Sequence, residues 1–237
     1  MTQPPPSSTP CGLLIIDKPE GITSMGVCRR VRGALVAGGA PKRVKVGHGG
    51  TLDPLATGVL VILVGKATRL CDQIMAGQKR YLAEVDLSRT STTDDREGEQ
   101  HEVCCLRAPT IEEVRAACAR FVGEIMQAPP AYSAIKVEGQ RAYRLARAGA
   151  PPVLPPRPVR IDSIDVLGYE WPLATLDILC GKGTYIRSLA RDLGGSLTGG
   201  GMLHSLRRTR VGKFTIDDAV PLSSVASRLR GDELRPV

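Results

Sequence analysis

Apolar residues along this chain fall mostly in short, strand-length blocks, interrupted by a few stretches with helical spacing. "GLLIIDKPEG" opens with a solid apolar run over 13–16 closed by a Lys-Pro turn, the pattern of a buried strand. Thr23 or Ser24 then stands ready to cap a helix to about Val36, which "AGGAP" stops. A glycine-rich loop leads into a second unbroken run over 59–64, and a helix is expected near 67–75. "KRYLAEVDLS" alternates Tyr81, Ala83, Val85 and Leu87 with polar neighbours, as a half-buried strand does. "RTSTTDDREGEQ" reads as a polar loop, and Thr110 followed by Glu113 makes a capping box for a helix to Phe121.

"APPAYSAIKVEGQRAYRLARAG" predicts an extended piece, a Glu-Gly turn and a short basic helix, and "APPVLPPRP" a stiff, extended connector. Strands return in "VRIDSIDVLGY", "LATLDILC" and "MLHSLRRTRVGKF". Between the last two, "GTYIRSLARDLGG" starts extended and turns helical until its glycines stop it. No repeat period emerges. Strands joined by few helices and hairpin-like junctions predict an α+β fold, with a mixed, mainly antiparallel central sheet flanked by helices.

Composition narrows the class. A chain of 237 residues holds one well-buried core, or one with a small appendage. No apolar run approaches the length of a membrane span. "MTQPPPSSTP" lacks the apolar core of a signal peptide and the arginines of a transit peptide, so residues 1–11 read as a disordered tail. The seven cysteines are scattered without a C-x-x-C, and the three histidines lie far apart. Neither a metal site nor a disulfide framework is indicated, and a reduced, cytoplasmic setting fits.

Net charge is +8, and its distribution matters more than its size. No acid occurs between Glu20 and Asp53, where Arg29, Arg30, Arg32, Lys42, Arg43 and Lys45 stand. Two further acid-free windows carry Arg141, Arg144, Arg147, Arg157 and Arg160, and then Arg207, Arg208, Arg210 and Lys213. Such segregation suits a basic face for a polyanion, and equally a solvated arginine-rich surface.

The candidate chemistry lies in "VKVGHGGTLDPLATGVLVILVGKAT". It is not a phosphate-binding loop: six residues, not four, separate Gly58 from Gly65, and those six form a strand. Asp53 precedes a proline and is therefore held extended, presented from a stiffened turn. Gly47, Gly49 and Gly50 let something bulky approach the backbone, and His48 adds a flat ring. An isolated "LDP" is more readily an Asx-turn. Downstream, an extended "GTYIR" would point Tyr185 and Arg187 to one side. An arginine facing a buried carboxylate keeps it ionised, as nucleophilic attack requires; a structural ion pair at a helix start is the competing reading.

"GLLIIDKPEGITS", "KVGHGGTLDPLATGVLVI", "KRYLAEVDL", "YSAIKVEGQRAY" and "GKGTYIRSLARDLG" resemble, in order, the successive motifs of the TruB family of tRNA pseudouridine synthases. The resemblance runs from about Gly12 to Ala219 and implies isomerisation of uridine 55 in the tRNA T-loop to pseudouridine. It implies Asp53 as the catalytic aspartate, Arg187 as the arginine that pairs with it, and Tyr81 as the tyrosine stacking on the target uracil. Tyr185 and Leu206 match positions lining the uracil pocket, and His48 the histidine that contacts flipped nucleotides. Lys18 is expected to support its turn rather than do chemistry. The isomerisation is redox-neutral, so no cofactor is expected; the expected partner is tRNA, bound by a monomer.

The same resemblance implies a catalytic domain over 12–220, with an RNA-clamping segment at about 129–158. A short tail over 221–237 stands where bacterial members commonly carry a PUA domain, which is expected to be absent. Glycine at position 49, often threonine in the family, is expected to loosen its loop. Two other readings stand beside the enzyme. A catalytically weak RNA-binding protein or tRNA folding helper would not need Asp53, Tyr81 and Arg187 together. A sugar hydrolase would need a second placed carboxylate, for which Asp17 and Asp192 are the nearest candidates.

Overall fold

The computed structural model describes residues 9–137, 139–225 and 227–236. Of the expected N-terminal tail, residues 1–8 lie outside that description, whereas Pro10 is buried. The chain comprises two compact units. The chain up to Lys79 and from Arg207 onward forms one unit, and Arg80–Leu206 forms the other.

In the first unit β1 (Gly12–Lys18) leads to α1 (Ser24–Ala37). Thr23 caps that helix, accepting the Gly26 N–H at 3.0 Å, and Val27, Cys28, Val31, Ala34 and Leu35 form its buried stripe. The short β2 (Val46–His48) and then β3 (Thr57–Val64) follow. β3 pairs antiparallel with β1, from Gly12 opposite Val64 to Lys18 opposite Gly58. Both faces of β3 are covered, so every side chain from Val59 to Val64 is 0% exposed, which is why its sequence is apolar without alternation. The helix expected near 67–75 is a 3₁₀ segment, Gly65–Leu70, running into α2 (Cys71–Ala76). Thr68 Oγ1 donates to the Gly65 carbonyl at 2.8 Å within that tighter turn.

The second unit begins along β4 (Lys79–Asp86), where Tyr81, Ala83 and Val85 are buried as the alternation predicts. The "polar loop" contains a hairpin, β5 (Arg89–Ser91) with β6 (Gln100–Glu102). Next come α3 (Ile111–Ala119), with the Thr110–Glu113 capping box formed, and β7 (Gly123–Gln127). Lys136–Val137 (β8) and Gln140–Arg141 (β9) pair ahead of the basic helix α4 (Ala142–Arg147). Glu138 of the expected turn lies outside the described residues, and Gly139 stands at φ +83°. After the connector, β10 (Arg157–Glu170) and β11 (Leu173–Cys180) pair antiparallel, followed by α5 (Ile186–Leu197). The strand order here is β4–β11–β10–β7.

β12 (Met202–Val211) starts in the second unit and ends in the first, where its Arg207 and Arg208 pair parallel with Thr57 and Gly58 of β3. β13 (Phe214–Thr215) pairs with the end of β12, and β14 (Val220–Pro221) adds parallel to β1. The described residues beyond 221 fold back onto this unit. Leu13 and Arg235 exchange backbone hydrogen bonds at 2.9 Å each way, and Leu222, Val225, Leu229 and Leu234 are buried. The pairings are mainly antiparallel, as the α+β reading expects. Among the described residues, no helix is long and apolar enough to cross a membrane.

Candidate active site

Asp53 is half-buried, and the chain around it is held on every side. Buried Ser24 grips the preceding residue twice: its hydroxyl accepts the Leu52 N–H and donates to the Leu52 carbonyl, both at 2.9 Å. On the other side the Lys18 ammonium, 0% exposed, donates to the carbonyls of Pro19, Ile22 and Pro54 at 2.8, 2.9 and 3.1 Å. Lys18 thus supports the turn, as expected. Upstream, Arg208 donates to the Gly50 and Thr51 carbonyls at 3.2 and 3.0 Å. The Asp53 carbonyl itself accepts the Ala56 N–H at 3.1 Å, closing a turn. A carboxylate is thereby presented from a fixed backbone.

His48 ends β2, opposite Ile62 of β3. Burial first, and the Arg208 charge second, hold its imidazole below the ordinary histidine range, so it is a neutral ring. Its Nδ1 is buried and accepts no hydrogen bond from the described residues. Gly49 does not loosen the loop. Its N–H donates to the Val61 carbonyl at 2.8 Å, and a Cβ there would lie 2.5 Å from Ile74 Cγ2, so the loop packs where a side chain would stand.

The other candidates belong to the second unit. Tyr81, 8% exposed, lies on β4, and Leu206, also 8%, on β12, its neighbour in the sheet. Tyr185 and Arg187 do not share an extended segment. Tyr185 is the extended N-cap of α5, and Arg187 lies in the first turn of that helix. The switch comes early because the Gln127 side chain replaces a strand partner: its Oε1 accepts the Tyr185 N–H at 2.8 Å and its Nε2 donates to the Tyr185 carbonyl at 3.1 Å. The Arg157 guanidinium stacks 5.3 Å from the Tyr185 ring centroid.

Arg187 is 6% exposed and donates to the carbonyls of Thr93 and Tyr132 at 3.1 and 3.0 Å. Its Nε lies 3.6 Å from an oxygen of Asp95, itself 3% exposed. One turn on, Arg191 pairs with Asp94 at 2.7 Å and donates to the Ala128 carbonyl at 3.0 Å, which also accepts from Ser188 Oγ. Burial pushes the Asp94 carboxyl up, against the pull of the arginine. Asp95 is a partner of Arg187 that the sequence reading missed. It sits in the segment taken for a polar loop, whose other residues are half-buried or exposed, and its own backbone bridges to Leu203.

Asp17 and Asp192, the candidates for a second catalytic carboxylate, are engaged by Arg207 at 2.8 Å and Arg191 at 2.9 Å. Among the described residues no cluster of histidine, cysteine and carboxylate could hold a metal ion. Basic side chains at 29, 30, 32, 42, 43 and 45 are all exposed, as are those at 141, 144 and 147. Arg208, counted with them from sequence, is instead buried, because it shares the inward-facing parity of Leu206 on β12.

Residues 39–186 match the profile of the TruB family pseudouridylate synthase N-terminal domain. The chain belongs to that family. It is 46% identical over 226 residues to tRNA pseudouridine synthase B of Mycobacterium sp. (strain KMS), covering 92% of this chain and 73% of that protein. To the protein of the same name from Mycobacterium tuberculosis (strain ATCC 25618 / H37Rv) it is 46% identical over 229 residues, covering 94% and 74%. Among solved structures it is similar to a chain of a Cbf5-Nop10-Gar1 complex, with a TM-score of 0.66 and 26% identity. That match covers 94% of this chain but only 59% of the solved one.

Proposed function

We propose that this protein converts uridine 55 in the T-loop of tRNA to pseudouridine, with Asp53 as the catalytic nucleophile. The observation that carries the reading is the half-exposed Asp53, held in a loop whose neighbours Gly50, Thr51, Leu52 and Pro54 are all pinned by buried polar groups. A rigid backbone of that kind serves a reaction in which a carboxylate must meet a carbon of ribose or uracil in one geometry. The bond from N1 of uracil to the sugar breaks, the base turns, and a bond from C5 to the same sugar carbon replaces it. The C5 proton is lost and N1 gains one, so the change is redox-neutral.

The scissile bond is out of reach while the base is stacked, so the nucleotide must be extruded, at a cost of a few kcal/mol. His48, a neutral ring at the mouth of the Asp53 loop, holds the displaced nucleotides. Tyr81 stacks on the extruded uracil, Tyr185 and Leu206 line its pocket, and Arg187 is the cation of the site. The exposed arginines of 129–158 grip the RNA backbone, in the manner of proteins that read splayed RNA loops. The enzyme acts as a monomer in the cytoplasm.

The purified protein is incubated with a T-arm stem-loop transcript and pseudouridine is mapped in the product. The expected result is one modified position, and none with Asp53→Asn at unchanged circular dichroism. Turnover by Asp53→Asn near the wild-type rate would end the proposal.

A further inference from the structure

The largest fully buried side chain among the described residues is a cation. Arg208 is 2% exposed, and its hydrogen bonds all go to backbone carbonyls: Nε to Val59 at 2.8 Å, Nη1 to Thr51 at 3.0 Å and Nη2 to Gly50 at 3.2 Å. No carboxylate of the described residues forms an ion pair with it. Burying a guanidinium without a counter-ion is costly, and a buried charge is ordinarily paired with an anion. A chain that tolerates this arrangement needs the one side chain whose fixed fork of N–H groups reaches three carbonyls at once.

The backbone is arranged to let the fork reach them. Arg208 pairs parallel with Gly58, which stands at φ +102°, and a Cβ at Gly58 would lie 2.2 Å from the Arg208 carbonyl oxygen. Gly50 stands at φ +121°. Of the three acceptors, Val59 belongs to β3, while Gly50 and Thr51 lie three and two residues ahead of Asp53. The guanidinium therefore rivets the loop to the sheet on the side that Ser24 and Lys18 leave open.

We propose that Arg208 is a positioning residue for Asp53, fixing the carboxylate's place through the Gly50–Thr51 backbone without touching RNA. The inference rests on Asp53 being the catalytic acid. It predicts that losing the fork impairs the chemical step and leaves RNA binding as it is.

Arg208→Met, Arg208→Lys and Asp53→Asn are compared with the wild type in the full chain. The measurements are kcat and KM on the T-arm stem-loop and the thermal midpoint. For Arg208→Met the expected kcat loss is about 100-fold, the scale on which a misplacement of about 1 Å acts, with KM within about threefold. Arg208→Lys, which keeps a cation able to serve one or two carbonyls, recovers about tenfold of that loss. A folded Arg208→Met with kcat within about threefold of wild type overturns the proposal, as does a loss confined to KM. Should Arg208→Met fail to fold, Arg208→Lys decides: a kcat loss at unchanged KM supports the inference, and a wild-type kcat overturns it. An inactive Asp53→Asn beside an active Arg208→Met sinks this inference alone. An active Asp53→Asn sinks the catalytic reading beneath it.

Discussion

Ser24 offers a direct measure of how firmly the Asp53 loop is held. Its hydroxyl is the hydrogen-bond partner of both the N–H and the carbonyl of Leu52, each at 2.9 Å, in a site where Ser24 and Leu52 are each 3% exposed. Ser24→Ala removes one oxygen and leaves two buried backbone groups without that partner. Each costs about 1–3 kcal/mol when unsatisfied, so the pair is expected to destabilise by about 3 kcal/mol after partial relaxation. For a chain of this length that corresponds to a fall of roughly 6–12 °C in thermal midpoint. Thr23→Ala is the internal control: it removes an exposed helix cap next door, worth about 1 kcal/mol. Differential scanning calorimetry of the two variants separates the cases. A midpoint for Ser24→Ala no lower than that for Thr23→Ala would refute the claim that this hydroxyl holds the loop.

Asp95→Ala removes a carboxylate that faces Arg187 and also accepts from the Glu97 N–H at 3.0 Å, and should cost about 3–5 kcal/mol in urea unfolding. His48 is held neutral in the folded protein, so its pKa lies below the unfolded value of about 6.5 and the unfolded chain binds the extra proton first. Stability contributed here is present above that value and falls as pH drops toward the folded pKa; His48→Gln should flatten the slope of stability against pH in that window. Reversing the charge at the exposed Arg29, Arg30, Lys42 and Arg43 should make log affinity for RNA fall less steeply with log salt, by about 0.7–0.9 for each phosphate no longer neutralised, at unchanged kcat. Gly58→Ala should yield little folded protein on expression, since its Cβ would meet backbone rather than a movable side chain.

What could be read from the sequence was whatever is set locally. The caps of α1 and α3 use residues three apart, and the apolar run of β3 declares its own burial. The short strands β2 and β7 were not legible, because a three- or five-residue strand exists only through its partner, here β3 and β10. The same divide runs through the candidate site. Glycines and a proline mark the Asp53 turn, whereas the groups that hold it come from positions 18, 24 and 208. Arg208 carried one usable sign, its two-residue spacing from Leu206 on one strand face, but arginine in a basic window reads as surface. Asp95 carried none: its burial follows from a bridge to Leu203, more than a hundred residues downstream.

The first unit combines residues up to Lys79 with residues from Arg207 onward, so in sequence it is interrupted by Arg80–Leu206. During synthesis its opening strands must therefore wait, without the partner that closes their sheet, while roughly 130 residues are added, on the order of 6–25 s at ribosomal speed. The second unit, contiguous in the chain, can fold in that interval. A nascent chain released before residue 207 would lack Arg208 and the segment that covers Leu13, and so be exposed to proteases and aggregation.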